Sequence, residues 1–308
     1  MRRASIAVAL AMVFLVAALP AAAQGSWSVG PELPTPRSEI GAATLNGQIY
    51  VLGGGVGAAQ TANEVLDLAS GQWRKGASMP KGLNHLGVTT LDGTIYVFGG
   101  ADEAGRATST ALAYDPTADA WRELPALPTP RSSPGVAALD GKLYVVGGIG
   151  ARNTPVVEVF DPATSSWSTG PNMAVARDHF VLEAVGGKLY AAGGRIGNAA
   201  RNLDTLEILD PTTGAWAFGA PLPEPRSGIA GAVLNGLVYL TGGEDTSTTH
   251  GELFVYDPAS DAWTTGAPMP TPRHGIGAVA ANGQLHVLGG GLSPGGGSDS
   301  AIHEVLTP

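Results

Sequence analysis

The sequence predicts an all-β fold, a six-bladed β-propeller of four-stranded blades, on three observations. Paired glycines recur in phase, as Gly53-Gly54, Gly99-Gly100, Gly147-Gly148, Gly193-Gly194, Gly242-Gly243 and Gly289-Gly290, at intervals of 46 to 49 residues. The six tryptophans of the chain, Trp27, Trp73, Trp121, Trp167, Trp216 and Trp263, keep the same step. Each period also holds a turn dipeptide at one fixed place: Asn46-Gly47, Asp92-Gly93, Asp140-Gly141, Gly186-Gly187, Asn235-Gly236 and Asn282-Gly283. Self-similarity at such a period marks stacked supersecondary units rather than two unrelated domains.

The chain opens with Arg2 and Arg3, an apolar run from Ile6 to Leu19 and the small residues Ala21-Ala22-Ala23, the pattern of a cleavable export leader over residues 1–23. Ala4-Ser5-Ile6 departs from the twin-arginine signal, so the ordinary secretory route is expected, and no cysteine follows that could take a lipid. The apolar run is short for a membrane span and no other segment reaches the required length. Residues 24–308 are therefore expected as one domain outside the cytoplasm, in the periplasm or the extracellular space. Loss of the leader leaves 15 basic residues against 26 acidic ones, a net charge of −11 that argues against nucleic acid as a partner. The chain has no cysteine, which excludes disulfides, thiolate metal sites and cysteine nucleophiles. Stability must come from packing.

Within a period, an apolar segment such as Ile40 to Leu45 runs into Asn46-Gly47 and then Gln48 to Leu52. Asn-Gly and Asp-Gly tolerate positive φ and so suit the two-residue turns that match strand twist, which predicts a hairpin of two buried strands. A third strand, as in Val156 to Phe160, follows each glycine pair after a variable loop and stops at a turn such as Asp161-Pro162-Ala163-Thr164. Proline there has a fixed φ and no N–H, so it ends the ladder before a fourth strand opens with tryptophan. A four-stranded sheet with two apolar faces cannot shield them alone, whereas six arranged radially cover one another. Trp27 precedes any partner strand, and the last period stops after its third strand, Ala301 to Leu306. The N-terminal segment is thus expected to complete the last blade.

The paired glycines after an apolar strand, the tyrosine three residues before them (Tyr50) and the Asp-Pro-x-x-x-x-Trp segment ending at Trp167 resemble kelch repeats over essentially the whole mature chain. The resemblance implies an interaction platform, and the fold itself hosts unrelated activities.

Sixteen positions before each glycine pair stand Arg37, Leu83, Arg131, Arg177, Arg226 and Arg273, at the entrance to the innermost strand. They read either as a guanidinium ring that binds an anion at the channel or as internal ion pairs with the in-step residues Glu64, Leu112, Glu158, Glu207, Phe254 and Glu304. The second period lacks both members, while Arg226 keeps its place without the glutamate and is the candidate for a free cation. Two residues further on come Glu39, His85, Ser133, His179, Gly228 and Gly275, with His274 one place earlier. These belong to separate periods and show no H-x-H or H-E-x-x-H spacing, so no metal is expected of them. His286 replaces the recurring tyrosine and reads as core, whereas His250 and His303 read as solvent-facing. The loops after the glycine pairs, where recognition usually resides, carry Arg195, Arg201, Glu244 and Asp245 but no aromatic anchor.

The expected ligand-binding set is Arg37, Glu39, His85, Arg131, Arg177, His179, Arg195, Arg201, Arg226, Arg273 and His274, with no catalytic set and no cofactor. The leading expectation is a non-catalytic binding module that offers its loop face to a protein or glycan. Two alternatives stand beside it: a structural part of an envelope assembly, and a sugar-active enzyme similar to the periplasmic N-acetylneuraminate epimerase. The copper chemistry of galactose oxidase, which shares the fold and needs a cysteine-crosslinked tyrosine, is excluded by the absence of cysteine.

Overall fold

A computed structural model describes residues 25–55 and 59–308; the leader expected at residues 1–23 lies outside them. The described residues form six four-stranded antiparallel sheets and one small hairpin. Blade 1 consists of Gly41–Leu45, Gln48–Leu52, Asn63–Asp67 and Gln72–Lys75, from the axis outward, and blades 2 to 5 repeat this order. In blade 6 the strands Gly277–Ala281, Gln284–Leu288 and His303–Thr307 are joined by Ser26–Val29, with Trp27 opposite Leu306. Ring closure through the N-terminal strand is therefore realised. Among the described residues no helix is long and apolar enough to cross a membrane.

The turns behave as their dipeptides require: Asn46 and Gly47 have φ of 52° and 72°, Asp140 and Gly141 50° and 72°. Positive φ at both central residues gives the turn whose twist matches the strands. The glycine pairs have a different task. At Gly53, with φ 59°, the backbone passes so close to the Leu83 carbonyl of the next blade that a Cβ would collide with it. That proximity lets the second glycine of each pair donate across the blade boundary, from Gly54 to Leu83 at 2.8 Å, from Gly148 to Arg177 at 2.8 Å and, at the seam, from Gly290 to Arg37 at 3.0 Å.

Each tryptophan indole binds the neighbouring blade as well. Trp121 Nε1 donates to Ala77 O at 2.7 Å, Trp216 Nε1 to Pro171 O at 2.8 Å, and Trp27 Nε1 to Ala267 O at 2.9 Å. The residues that define the sequence period are thus those that tie one blade to the next. Six apolar clusters lie between the blades, for example Tyr50, Val65, Leu83, Val97 and Tyr114, and burial there is the main source of stability.

Candidate functional site

The arginine register does not face a ligand. Arg37, Arg131, Arg177 and Arg273 are fully buried and pair with Glu64, Glu158, Glu207 and Glu304 at 2.5, 2.7, 3.3 and 2.8 Å. Most of their remaining N–H groups donate to carbonyls, as in Arg37 Nε to Gly53 O at 2.8 Å and Arg131 Nη1 to Val156 O at 2.9 Å, while Arg177 Nε is buried without a partner. In blade 2 the same space is filled by Leu83 and Leu112, both buried. These four arginines are therefore internal clamps and drop out of the expected ligand-binding set. Arg226 is not free either: Phe254 holds the usual glutamate position, and Arg226 instead pairs with Glu224 at 2.6 Å and Glu252 at 2.9 Å. Those carboxylates come from its own turn and from a loop. Arg201 lies exposed on Asn198–Asn202 and makes no charge pair among the described residues.

The next register forms a collar on the axis. Glu39, His85, Ser133, His179, Gly228 and Gly275 all have left-handed backbones, with φ of 54°, 53°, 50°, 53°, 65° and 58°. This conformation turns each N–H toward the preceding blade. His85 donates to Glu39 O at 3.0 Å, Ser133 to His85 O at 2.8 Å, His179 to Ser133 O at 3.3 Å, Gly228 to His179 O at 3.1 Å, Gly275 to Gly228 O at 3.0 Å, and Glu39 back to Gly275 O at 2.7 Å. The six bonds close a circuit around the axis. Non-glycine residues rarely adopt this conformation, so the collar is a locally strained element held by its surroundings.

Two cavities flank the collar and share no lining residue. Beneath it the inner strands enclose a channel that begins at Ile40, Leu86, Phe180 and Ile276 and is lined by many small residues, with Thr44, Thr89, Thr90 and Glu183 among them. Glu183 is the acidic side chain of that channel lining, and burial pushes its carboxyl up to about 8. Above it, on the loop face, lies a cup of roughly 410 Å³ walled by Glu39, His85, Arg195, Glu244, Asp245 and His274.

Side chains in and behind the cup form one connected network. Arg195 spans it, donating from Nε to Asp178 Oδ1 at 3.2 Å, from Nη1 to Glu244 Oε1 at 2.7 Å and from Nη2 to His179 Nε2 at 2.9 Å. Asp178 is buried and also receives His179 Nδ1 and Asn153 Nδ2. Burial alone would raise the Asp178 carboxyl, but the hydrogen bonds from His179 and Asn153 and the charge of Arg195 hold it below its ordinary value. His85 Nε2 lies 3.3 Å from Glu39 Oε2, and its ring stands edge-on to that of His179 at 4.9 Å between centroids. Burial pushes the His85 imidazole down to about 4 against the pull of Glu39. For Glu39, burial acts upward and is outweighed by His85, His179, His274 and Arg195, which leave the carboxyl below its ordinary value. Buried His274 places Nε2 3.5 Å from Glu244 Oε2 and 3.8 Å from Glu39 Oε1.

Glu39, His85, His179, Arg195 and His274 of the expected set thus meet, although they come from four blades. Sequence reasoning missed Asp178 as a participant and placed Glu244 only in a loop. One signal pointed to Asp178. The position before each collar residue, Ser38, Asn84, Ser132, Asp178, Ser227 and His274, is polar in every blade. Two histidine readings also change. His286 is buried as expected, but His303 is buried too, taking His286 Nδ1 on its Nε2 at 3.0 Å while its own Nδ1 reaches Pro31 O at 3.1 Å. His250 is half-buried against Asp245 at 3.0 Å.

Fold and site together define a closed propeller scaffold with a recess on its loop face that holds several ionisable side chains. The chain belongs to the kelch-repeat family: the KLHDC2/KLHL20/DRC7 Kelch-repeats domain matches residues 22–174, and the Kelch motif matches residues 176–223 and 225–270. Among solved structures, that of YjhT superposes with a TM-score of 0.79 over 91% of this chain and 97% of the other at 20% identity, a likeness of fold. No curated protein matches the chain significantly. The kelch propeller is in general a scaffold for protein interactions.

Proposed function

We propose that this chain is an exported, non-catalytic binding module whose loop face receives a partner and whose axial cup anchors it. One observation carries the reading: charged and imidazole side chains from five blades converge in one recess on the loop face, walled by the loops after the glycine pairs of blades 4, 5 and 6. The cup sets the carboxylates of Glu39, Glu244 and Asp245, with Asp178 buried behind them, against the one guanidinium of Arg195. Such a balance favours a cationic or hydroxyl-rich group, a lysine-bearing protein loop or a neutral or amino sugar, over a carboxylated ligand. The test is a thermal-shift series with neutral, amino and carboxylated sugars and with lysine-rich peptides. A ligand of the folded form must raise its melting temperature. Stabilisation by the neutral or cationic compounds, abolished by Glu244→Gln, supports the reading; no shift with any of them, or a shift with carboxylated sugars alone, counts against it.

A second reading, a sugar-active enzyme similar to N-acetylneuraminate epimerase, draws on the Glu39–His85 and Asp178–His179 pairs, which could move protons at a bound sugar. Sialic acid anomers followed by NMR would interconvert faster with the protein than without it. Equal rates sink this reading and leave the first untouched.

A further inference from the structure

The collar sets two imidazoles and a carboxylate around the axis, and its hydrogen bonds leave one acceptor beside another. Asn84 donates from Nδ2 to Gly55 O at 2.9 Å, which fixes its amide so that Oδ1 faces His85 Nδ1 at 2.7 Å. A carbonyl oxygen only accepts, so the His85 proton resides on Nδ1 and the lone pair on Nε2. That lone pair stands 3.3 Å from Glu39 Oε2, an acceptor beside an acceptor. His179 is arranged alike. Its Nδ1 is bound to the carboxylate of Asp178, and its Nε2 accepts from Arg195 Nη2 at 2.9 Å. Arginine has only donors, so His179 too carries its lone pair on Nε2, where Arg195 covers it.

We propose that Glu39, His85 and His179 form a site for a divalent first-row transition ion of the zinc or cobalt type, seated on the propeller axis at the floor of the cup. One ligand atom from each of the three lies within 4.8 Å of the other two. A tetrahedral ion with bonds of about 2.1 Å draws such atoms to roughly 3.4 Å, a rotamer adjustment rather than a backbone movement. Two imidazoles and one carboxylate are a donor set suited to these ions, and three protein ligands leave a coordination position open toward the cup. The supporting groups are those of a metal site: each Nδ1–H is held by a carboxylate or a carbonyl, which fixes the tautomer and the ring direction. The closed backbone circuit holds the three α-carbons at fixed separations. Ser133 Oγ, 3.3 Å from His179 Nε2, lies beside the position.

Arg195 is the competitor. Its Nη2 covers the His179 lone pair, and its other two bonds, to Asp178 and Glu244, give it a resting place when an ion displaces it. Loading would therefore shift Arg195 toward Glu244, coupling the ion to the wall of the cup.

The experiment titrates Co2+ into the full chain, made without a histidine tag and stripped with chelator, reading the visible d–d absorption and then its displacement by Zn2+. Expected is a saturating signal at about one ion per chain. His85→Asn and His179→Asn, chosen because asparagine tolerates a left-handed backbone, abolish it. Asp178→Asn, which is not a ligand, weakens binding by roughly 10- to 100-fold. Arg195→Gln tightens it by about tenfold, because a positive charge beside the ion is removed. Melting temperatures in chelator identify any variant that has failed to fold, and the wild-type titration decides without them. Absence of a stoichiometric d–d signal overturns the proposal. So does a signal that survives in both histidine variants, and loss of affinity in Arg195→Gln overturns the placement at His179.

Discussion

The buried arginine clamps carry their own double-mutant experiment, since blade 2 has Leu83 and Leu112 where blade 3 has Arg131 and Glu158. Removing one member of such a pair strands a charge in the interior, whereas replacing both by apolar groups removes the need for either. Arg131→Leu alone is expected to cost about 3–5 kcal/mol, and Arg131→Leu with Glu158→Leu to recover most of it, read from urea midpoints. Stability gain in the single variant would contradict the assignment. The His286–His303 pair makes a second prediction. Burial, with His286 next, pushes His303 down to about 4, so the fold holds it neutral while the unfolded chain takes a proton near pH 6.5. Its contribution is full above about pH 6.5 and is lost as pH falls toward 4, amounting to roughly 3 kcal/mol at most. His303→Gln should flatten that stretch of the stability curve, and an unchanged slope would show that other groups carry it. Such pairings were half visible in the sequence. Matched loss of Arg and Glu in blade 2 announced the clamps, but Arg226 was misread because Glu224 and Glu252 reach it from registers that the repeat does not share.

Hairpin turns and glycine pairs look alike in the sequence and differ in what surrounds them. Gly141, with φ 72°, has open space where a Cβ would be; Gly147, with φ 60°, has Phe180 Cε1 at 2.8 Å and Arg177 O at 2.9 Å. Gly141→Ala should therefore cost only its backbone strain, about 1–2 kcal/mol. Gly147→Ala adds about 1–3 kcal/mol of overpacking against the next blade. Equal melting temperatures for the two variants would show that the glycine pair does not serve the blade contact. Strand order, turn positions and the tryptophan register were all legible, because local chemistry fixes each of them within a few residues. The collar was not. Its left-handed backbones are enforced by bonds to another blade, and nothing in Glu39, His85 or His179 alone announces that conformation.

At the scale of the whole molecule, closure depends on the four-residue strand Ser26–Val29 and the indole bond from Trp27 to Ala267. A chain starting at Pro31 should lose the cooperative melting of the ring and expose the edge of His303–Thr307. Its two-state transition should return when a peptide spanning residues 25–30 is added in excess, and a shortened chain that melts like the full one would refute closure as the source of cooperativity. Closure was readable from a repeat that begins with its fourth strand and ends with its third. The cup was not readable as a unit, since Glu39 and His179 stand on opposite sides of the ring and meet only once it has closed. In the collar every N–H points to the blade before it, so the six hydrogen bonds run one after another around the axis in a circulation with no beginning. Such a loop has almost no net moment along the axis, unlike the end of a helix. The collar backbone therefore adds little to the potential a visitor feels at the floor of the cup, which the surrounding side chains and the glycine-rich loop backbone set.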